Sequence, residues 1–176
     1  MKSTQHGFTL LELMTALAVL AVLVAAATPS FKTFSANSRT AASANSLMNA
    51  LAIARSEALH QGLPVAVCAS GNSQTCDNNP TNWNNGWIVF TDSSGQPGVL
   101  DSTDALVQAW PAPGGGVTVS LLNNTENYVR FDGRGMKSPV TAITFKVATS
   151  GCTGNSASQI AVTVTGSPQS TKVTCP

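Results

Sequence analysis

The first pattern in the chain is one long apolar run near its N-terminus. Phe8 to Ala27 are twenty residues with a single charged side chain, Glu12. As a helix this run is about 30 Å long, which matches the hydrocarbon core of a bilayer. Lys2 precedes it, so the N-terminus is predicted to stay in the cytoplasm and the chain after Pro29 to lie across the membrane. The pattern predicts a membrane-spanning helix over residues 8–28.

A secretory signal peptide, cleaved near the small residues Ala25–Ala27, is the alternative for this segment. The apolar part of such a signal usually has about 7 to 15 residues, fewer than the run found here. A carboxylate at the bilayer centre costs about 2.5–3.5 kcal/mol on insertion scales, so Glu12 needs a partner. Neither a signal peptide nor a plain membrane anchor provides one.

Apolar residues then recur at helical spacing as far as Gln61. They form a stripe rich in alanine, while Asn, Ser, Thr and Arg39 occupy the other face. Gly62-Leu63-Pro64 predicts the end of the helix. Residues 29–61 are therefore predicted to form an amphipathic helix that packs on another element through Ala44, Leu47, Met48, Leu51, Ala54 and Ala58.

Residues 62–176 contain short runs of β type, separated by turn clusters rich in Gly, Pro and Ser. Apolar and polar residues alternate most clearly in Val117–Leu121 and Ile160–Val164, which predicts antiparallel strands with one buried face. One long helix followed only by strands indicates the α+β class. The predicted strands are Val65–Cys68, Trp87–Thr91, Ala105–Trp110, Val117–Leu122, Tyr128–Phe131, Val140–Val147, Ile160–Thr165 and Lys172–Cys175.

Four cysteines, Cys68, Cys76, Cys152 and Cys175, permit three disulfide connectivities. No C-x-x-C pair is present, and a zinc site needs closer ligand spacing. Two disulfides formed in an oxidising compartment are the favoured interpretation. Chain order suggests Cys68–Cys76 and Cys152–Cys175, and the sequence leaves the other connectivities open.

The N-terminal sequence Gly7-Phe8-Thr9-Leu10-Leu11-Glu12-Leu13 resembles the class III signal of type IV pilins and pseudopilins. The resemblance implies a leader peptide of residues 1–7, cut after Gly7 by a prepilin peptidase, and methylation of the new N-terminal residue, Phe8. It also implies that Glu12 pairs with the N-terminal amine of a neighbouring subunit; a buried carboxylate is tolerated when an ammonium meets it. Pro29 lies where pilins commonly have a helix kink, and proline lacks the N–H of a regular helix.

Within the pilin superfamily, the chain is most similar to the GspH/FimT group of minor pilins and pseudopilins. The resemblance implies a pilin-like α+β fold, a long N-terminal helix packed on antiparallel sheets. It implies a non-enzymatic subunit of the bacterial inner membrane with its C-terminal domain, residues 62–176, in the periplasm. Such a subunit assembles with other pilins, in a priming or tip complex, into a type IV pilus or a type II secretion pseudopilus. The matching stretches are Ala54–Leu59, Val65–Cys68, Asn85–Asp92 and, more weakly, Phe131–Gly135.

The sequence offers no catalytic motif. His60 is the single histidine after the predicted leader, at a predicted helix end, so no serine triad is indicated. Gly114–Gly116 lacks the helix and lysine of a phosphate loop and is interpreted as a flexible turn. Residues 76–86 are rich in Asn and Asp, which suit calcium, yet no EF-hand spacing is present and these residues also favour turns. We therefore predict no metal or cofactor.

Charge is unevenly distributed. Ser56 to Asn127 hold six acidic residues and no Lys or Arg, whereas the chain from Tyr128 onward holds five basic residues and one acid, Asp132. A basic patch would attract phosphates, and some FimT-like pilins bind DNA during natural transformation. Those pilins carry a Gly-Arg-x-Arg motif where this chain reads Gly166-Ser167-Pro168-Gln169, so a solvated face is the favoured interpretation. The DNA-binding candidates are Arg130, Arg134, Lys137, Lys146 and Lys172.

Overall fold

The computed structural model describes residues 7–77, 79–122 and 126–176, without the side chains of Ala26, Ala27 and Pro29. One α-helix, α1, runs from Leu10 to Gln61 across both predicted helical segments. Thr9 caps its first turn, because its Oγ1 accepts a hydrogen bond from the Glu12 backbone N–H at 3.2 Å. Gly62 ends it in the left-handed conformation, with φ 66°, and donates its N–H to the Ala58 carbonyl. The stop predicted at Gly62 is confirmed.

Two antiparallel sheets pack on the second half of α1. The larger has the strand order β3-β2-β1-β5-β6 and the smaller the order β4-β7-β8-β9. This confirms the α+β fold, with its long N-terminal helix against antiparallel sheets. The strands are β1 Val65–Ala69, β2 Gly86–Thr91, β3 Leu106–Pro111, β4 Val117–Leu121, β5 Tyr128–Phe131, β6 Lys137–Ser138, β7 Ile143–Thr149, β8 Ala157–Val162 and β9 Pro168–Val173.

All eight predicted strands are present, and the structure corrects several of their bounds. The seventh was expected to extend to Thr165, but a turn closed by the Gly166 N–H on the Thr163 carbonyl separates β8 from β9. The last was placed too late, because Pro168–Thr171 has no apolar alternation; β9 is a largely exposed edge strand that begins with proline. The two-residue strand β6 is too short to produce a sequence pattern.

The core lies between α1 and the two sheets. The predicted helical stripe is confirmed, since Ala44, Leu47, Leu51, Ala54 and Ala58 are buried and Met48 packs against them. A short 3-10 helix, Asn82–Asn85, inserts Trp83 into this core, where its ring meets the ring of Phe145 edge-on at 4.8 Å. The core therefore joins both sheets to one helix face.

Leu47 provides a test of this packing. Its side chain is fully buried, so Leu47→Ala should lower the free energy of unfolding by about 2–5 kcal/mol through lost contacts and a residual cavity. Leu59 lies on the same helix but is 54% exposed, and Leu59→Ala should change stability by only about 0.5 kcal/mol. Urea unfolding of the full chain measures both. Equal losses for the two variants would contradict the assigned helix face.

Two disulfides close the loops at the ends of the sheets. Cys68 bonds to Cys76 and Cys152 bonds to Cys175, which confirms the pairing suggested by chain order. The first holds the loop after β1 against that strand, where the Asp77 N–H also donates to the Ala69 carbonyl. The second ties the chain after β9 to the turn between β7 and β8.

Candidate functional site

The helix α1 divides into an exposed half and a packed half. The described side chains from Phe8 to Phe34 are mostly solvent-exposed, and the first of the described helix residues that is buried is Ala36. By length and composition, α1 is the one helix in the described part of the chain that could cross a membrane, and none of its most apolar stretch is buried. The first half of α1 therefore presents a large apolar surface that the folded domain does not cover.

Glu12 lies in the first turn of this exposed half. Among the described residues, it is the single charged side chain between Phe8 and Phe31. Nearby polar groups are satisfied within the helix: the Thr15 hydroxyl donates to the Glu12 carbonyl at 2.9 Å, and the Thr28 hydroxyl to the Val24 carbonyl at 2.8 Å. The Glu12 carboxylate is exposed, and no ion pair reaches it from the described part of the chain. It is thus free to accept a cation from outside the molecule.

The predicted processing site lies at the start of the described chain. Gly7 precedes the helix, and Phe8 is 87% exposed. The remaining leader residues 1–6, including Lys2, lie outside the described residues. The kink predicted at Pro29 stays a prediction, because that side chain is outside the description as well; α1 continues through this position as one helix.

Three of the five DNA-binding candidates form ion pairs. Arg130 Nε lies 2.7 Å from Asp92 Oδ2, and Arg134 lies 3.0 Å from Asp132. Lys137 is the most enclosed: its side chain is fully buried and its Nζ donates to Glu126 at 2.8 Å. It also donates to the Pro139 carbonyl at 3.2 Å. Arg130 and Lys137 are therefore neutralised by acidic side chains of the same domain.

The other two candidates lie on opposite faces of the smaller sheet. Lys146 is in register with Gln159 of β8, whereas Lys172 is in register with the preceding residue, Ser158. Neighbouring positions on a strand face opposite ways. Lys172 Nζ also donates to the Ser158 hydroxyl at 3.2 Å. Lys146 and Lys172 therefore do not share one face of the sheet, and DNA binding stays a prediction.

Side-chain oxygens in residues 76–86, the stretch considered for calcium, and in the loop after β2 hold local turns. Asp101 accepts hydrogen bonds from the Thr103 backbone and hydroxyl, and Asn79 accepts two from Thr81. These are the side-chain-to-backbone bonds that favour Asn and Asp in turns. Asn78 lies outside the described residues.

Asp92 is a buried carboxylate at the end of β2. It accepts hydrogen bonds from Arg130 on β5 and from the Gly98 N–H at 3.0 Å, so it fixes the loop after β2 to the sheet. Burial raises the pKa of Asp92 above its ordinary value of 3.8, and this outweighs the opposing bonds from Gly98 and Arg130. The native state therefore holds this proton more tightly than the unfolded chain does.

The titration of Asp92 has a predictable sign. The pKa of Asp92 is higher in the folded state than in the unfolded chain. The stability that Asp92 contributes is therefore present below pH 3.8 and is lost as the pH rises through its folded-state pKa. Asp92→Asn keeps an acceptor for Arg130 and Gly98 and should remove this decline. Asp101→Asn is the control. Hydrogen bonds from Thr103 lower the pKa of Asp101, so its contribution to stability changes with pH in the opposite direction. Urea unfolding across this pH range measures both, and an unchanged profile for Asp92→Asn would contradict the assignment.

Sequence reasoning missed one further contact, made by Arg55. Its guanidinium donates to the Gly135 carbonyl at 3.1 Å and to the Thr165 carbonyl at 3.2 Å. Gly166 packs against the Gly135 carbonyl as well, so closely that an added Cβ would overlap the carbonyl oxygen. Arg55 thus joins turns of both sheets to the helix. The stretch Ala54–Leu59 marked it in the sequence, although nothing there indicated its partners.

The exposed apolar helix with one carboxylate in its first turn, mounted on two antiparallel sheets, defines a pilin-like subunit. A family model described as type II transport protein GspH matches residues 43–169, and a model of the prokaryotic N-terminal methylation motif matches residues 2–28. The chain belongs to the GspH family, which comprises minor pilins and pseudopilins.

Two solved structures have a similar fold. The chain is similar to the type IV minor pilin FimU of Pseudomonas aeruginosa, seen in two crystal forms. In one, the identity is 22% with a TM-score of 0.55, over 74% of this chain and 90% of that one. In the other, the identity is 19% with a TM-score of 0.56, over 81% and 90%. At these identities the likeness shows the fold. No curated protein sequence matches.

Proposed function

We propose that this chain is a non-enzymatic structural subunit, made as a prepilin and inserted in the bacterial inner membrane through residues 8–28. A prepilin peptidase cuts it after Gly7, and the new N-terminal Phe8 is methylated. The subunit then leaves the membrane and assembles through α1 with other pilins. It serves in the priming or tip complex of a type IV pilus or of a type II secretion pseudopilus.

The observation that carries this proposal is the uncovered half of α1. More than a dozen apolar side chains, from Phe8 to Phe34, are exposed although the rest of the helix is well packed. An apolar surface of this length needs a bilayer or neighbouring helices around it. The match to the methylation motif over residues 2–28 supports the same role, because it covers the leader, the cleavage site and the first part of this helix.

Glu12 supports assembly rather than simple anchoring. A carboxylate in an apolar segment is costly in lipid, and a cationic partner reduces that cost. Cleavage after Gly7 would create such a cation, the ammonium of Phe8, on every subunit. We propose that Glu12 of one subunit binds the Phe8 ammonium of the next, which fixes the register of the two helices.

Co-expression with a prepilin peptidase tests the processing step. We expect the chain to shorten by the seven leader residues only when the active peptidase is present, because residues 2–28 match the methylation motif. Gel mobility or intact mass measures the change. A matched control is the variant Gly7→Asp, which should remain at full length. Cleavage that is independent of the peptidase, or that occurs near Ala27, would contradict the proposal and favour a secreted protein.

A further inference from the structure

Beyond the apolar run, two aromatic side chains remain uncovered on α1. Phe31 is 72% exposed and Phe34 is 68% exposed. They precede Ala36, the first buried residue of the helix, so the folded domain begins just after them and does not shelter them. Lys32, the first charged residue after Glu12, lies between them and is also exposed. The assembly role proposed above does not by itself account for this group.

The two rings continue the lipid-facing surface of the helix. Residues separated by three, four, seven or eleven positions share one helix face. Leu20, Val24, Phe31, Phe34 and Ser38 are related in this way, and all five are exposed. The face changes from apolar to polar between Phe34 and Ser38, within about one turn. The apolar surface therefore ends at a defined height on the helix.

Phe31 and Phe34 lie near the outer edge of the headgroup layer of a bilayer. The apolar run Phe8–Ala27 is centred between residues 17 and 18, so Phe31 lies about 20 Å from the centre and Phe34 about 25 Å along the helix axis. Hydrocarbon ends about 15 Å from the bilayer centre, and the headgroups end at about 20–22 Å. Phe31 thus lies at headgroup depth. The backbone of Phe34 lies about 3 Å beyond the headgroups, but its ring reaches back to their outer boundary, because helical side chains point toward the helix N-terminus. Ser38, at about 31 Å, lies in water.

We infer that Phe31, Lys32 and Phe34 form a juxtamembrane anchor that binds the phospholipid headgroup layer on the periplasmic side. The two rings bury in the interface, as aromatic residues on amphipathic helices do. The Lys32 stem extends along the helix and brings its ammonium to lipid phosphate. The anchor sets the depth of α1 and holds the domain, which begins at Ala36, directly above the membrane. This inference rests on the membrane-bound state proposed above.

Tryptophan quenching by spin-labelled lipid tests the anchor. The full chain is reconstituted in phosphatidylethanolamine–phosphatidylglycerol vesicles that carry a nitroxide either on the headgroup or deep in the acyl chain. Four variants on the same helix face are compared, Leu20→Trp, Phe31→Trp, Phe34→Trp and Ser38→Trp, each corrected for the native tryptophans. We expect the headgroup label to quench positions 31 and 34 at least about twice as strongly as position 38, given the depths above. Position 20 should be quenched by the deep label.

The outcomes separate the anchor from the membrane span. Quenching at position 20 by the deep label, without excess headgroup quenching at 31 and 34, would overturn the anchor and leave the span intact. No quenching at position 20 would overturn both. Blue-shifted emission at positions 31 and 34 that neither label quenches would mean that protein, rather than lipid, covers the two rings, and it would also overturn the anchor.

Discussion

Glu12→Val is expected to insert in the membrane as well as the parent chain and to fail in filament assembly. The substitution removes the cost of a carboxylate in the apolar run, so insertion should not suffer. It also leaves the Phe8 ammonium of the neighbouring subunit without a partner in an apolar filament core, which costs about 3–5 kcal/mol. Since about 1.4 kcal/mol is a factor of ten, incorporation into filaments should fall at least tenfold.

Sheared filaments and membrane fractions from the same cells measure the two effects separately. Thr15→Val is a matched control, because Thr15 lies one turn from Glu12 and, within the described residues, its hydroxyl bonds only to the Glu12 carbonyl. We expect that variant to assemble normally. If Glu12→Val enters filaments at the parent level, the pairing with the Phe8 amine is wrong, although the processing signal would stand.

Glu126→Ala is expected to produce the largest loss of stability outside the apolar core. Lys137 is fully buried, and Glu126 provides its counter-ion at 2.8 Å. After the substitution, the described contacts of the ammonium are the Pro139 carbonyl and, at 3.5 Å, the Thr141 hydroxyl. Removing one partner of a buried ion pair costs about 3–5 kcal/mol, because the remaining charge stays buried without compensation.

A double variant separates the pair from simple loss of packing. Adding Lys137→Met to Glu126→Ala removes the uncompensated charge and should recover much of the lost free energy of unfolding, measured by urea denaturation. Arg134→Met is the exposed comparison, since its ion pair with Asp132 lies at the surface and should contribute about 0–1 kcal/mol. If Glu126→Ala costs no more than Arg134→Met, the buried pair does not stabilise the domain.

Local patterns of the sequence predicted the helix well. The spacing of Ala44, Leu47 and Leu51 indicated the buried face of α1, because a helix repeats every 3.6 residues whatever surrounds it. The apolar run indicated the exposed half, because its length as a helix matches the hydrocarbon core of a bilayer. Gly62 marked the helix end, since the left-handed cap conformation favours glycine. Chain order also suggested the two disulfides that the structure contains.

The remaining features depend on topology. Arg130 and Lys137 were predicted as candidates for a basic surface, but antiparallel pairing brings β1 between β2 and β5 and places Arg130 next to Asp92. Asp92 and Arg130 are far apart in the chain, so no local spacing could reveal the contact. The bounds of β9 were misplaced because an exposed edge strand lacks the alternation that a half-buried strand shows.

The mass of the N-terminal peptide recovered from assembled filaments tests the central claim most directly. The account predicts a chain that begins at Phe8, carries one methyl group on its amine and retains residues 8–28 as the first part of α1. Recovery of a chain that begins at Met1, or at Thr28 after signal-peptide cleavage, would contradict it. In either case Glu12 could not meet the N-terminal ammonium of a neighbouring subunit as proposed.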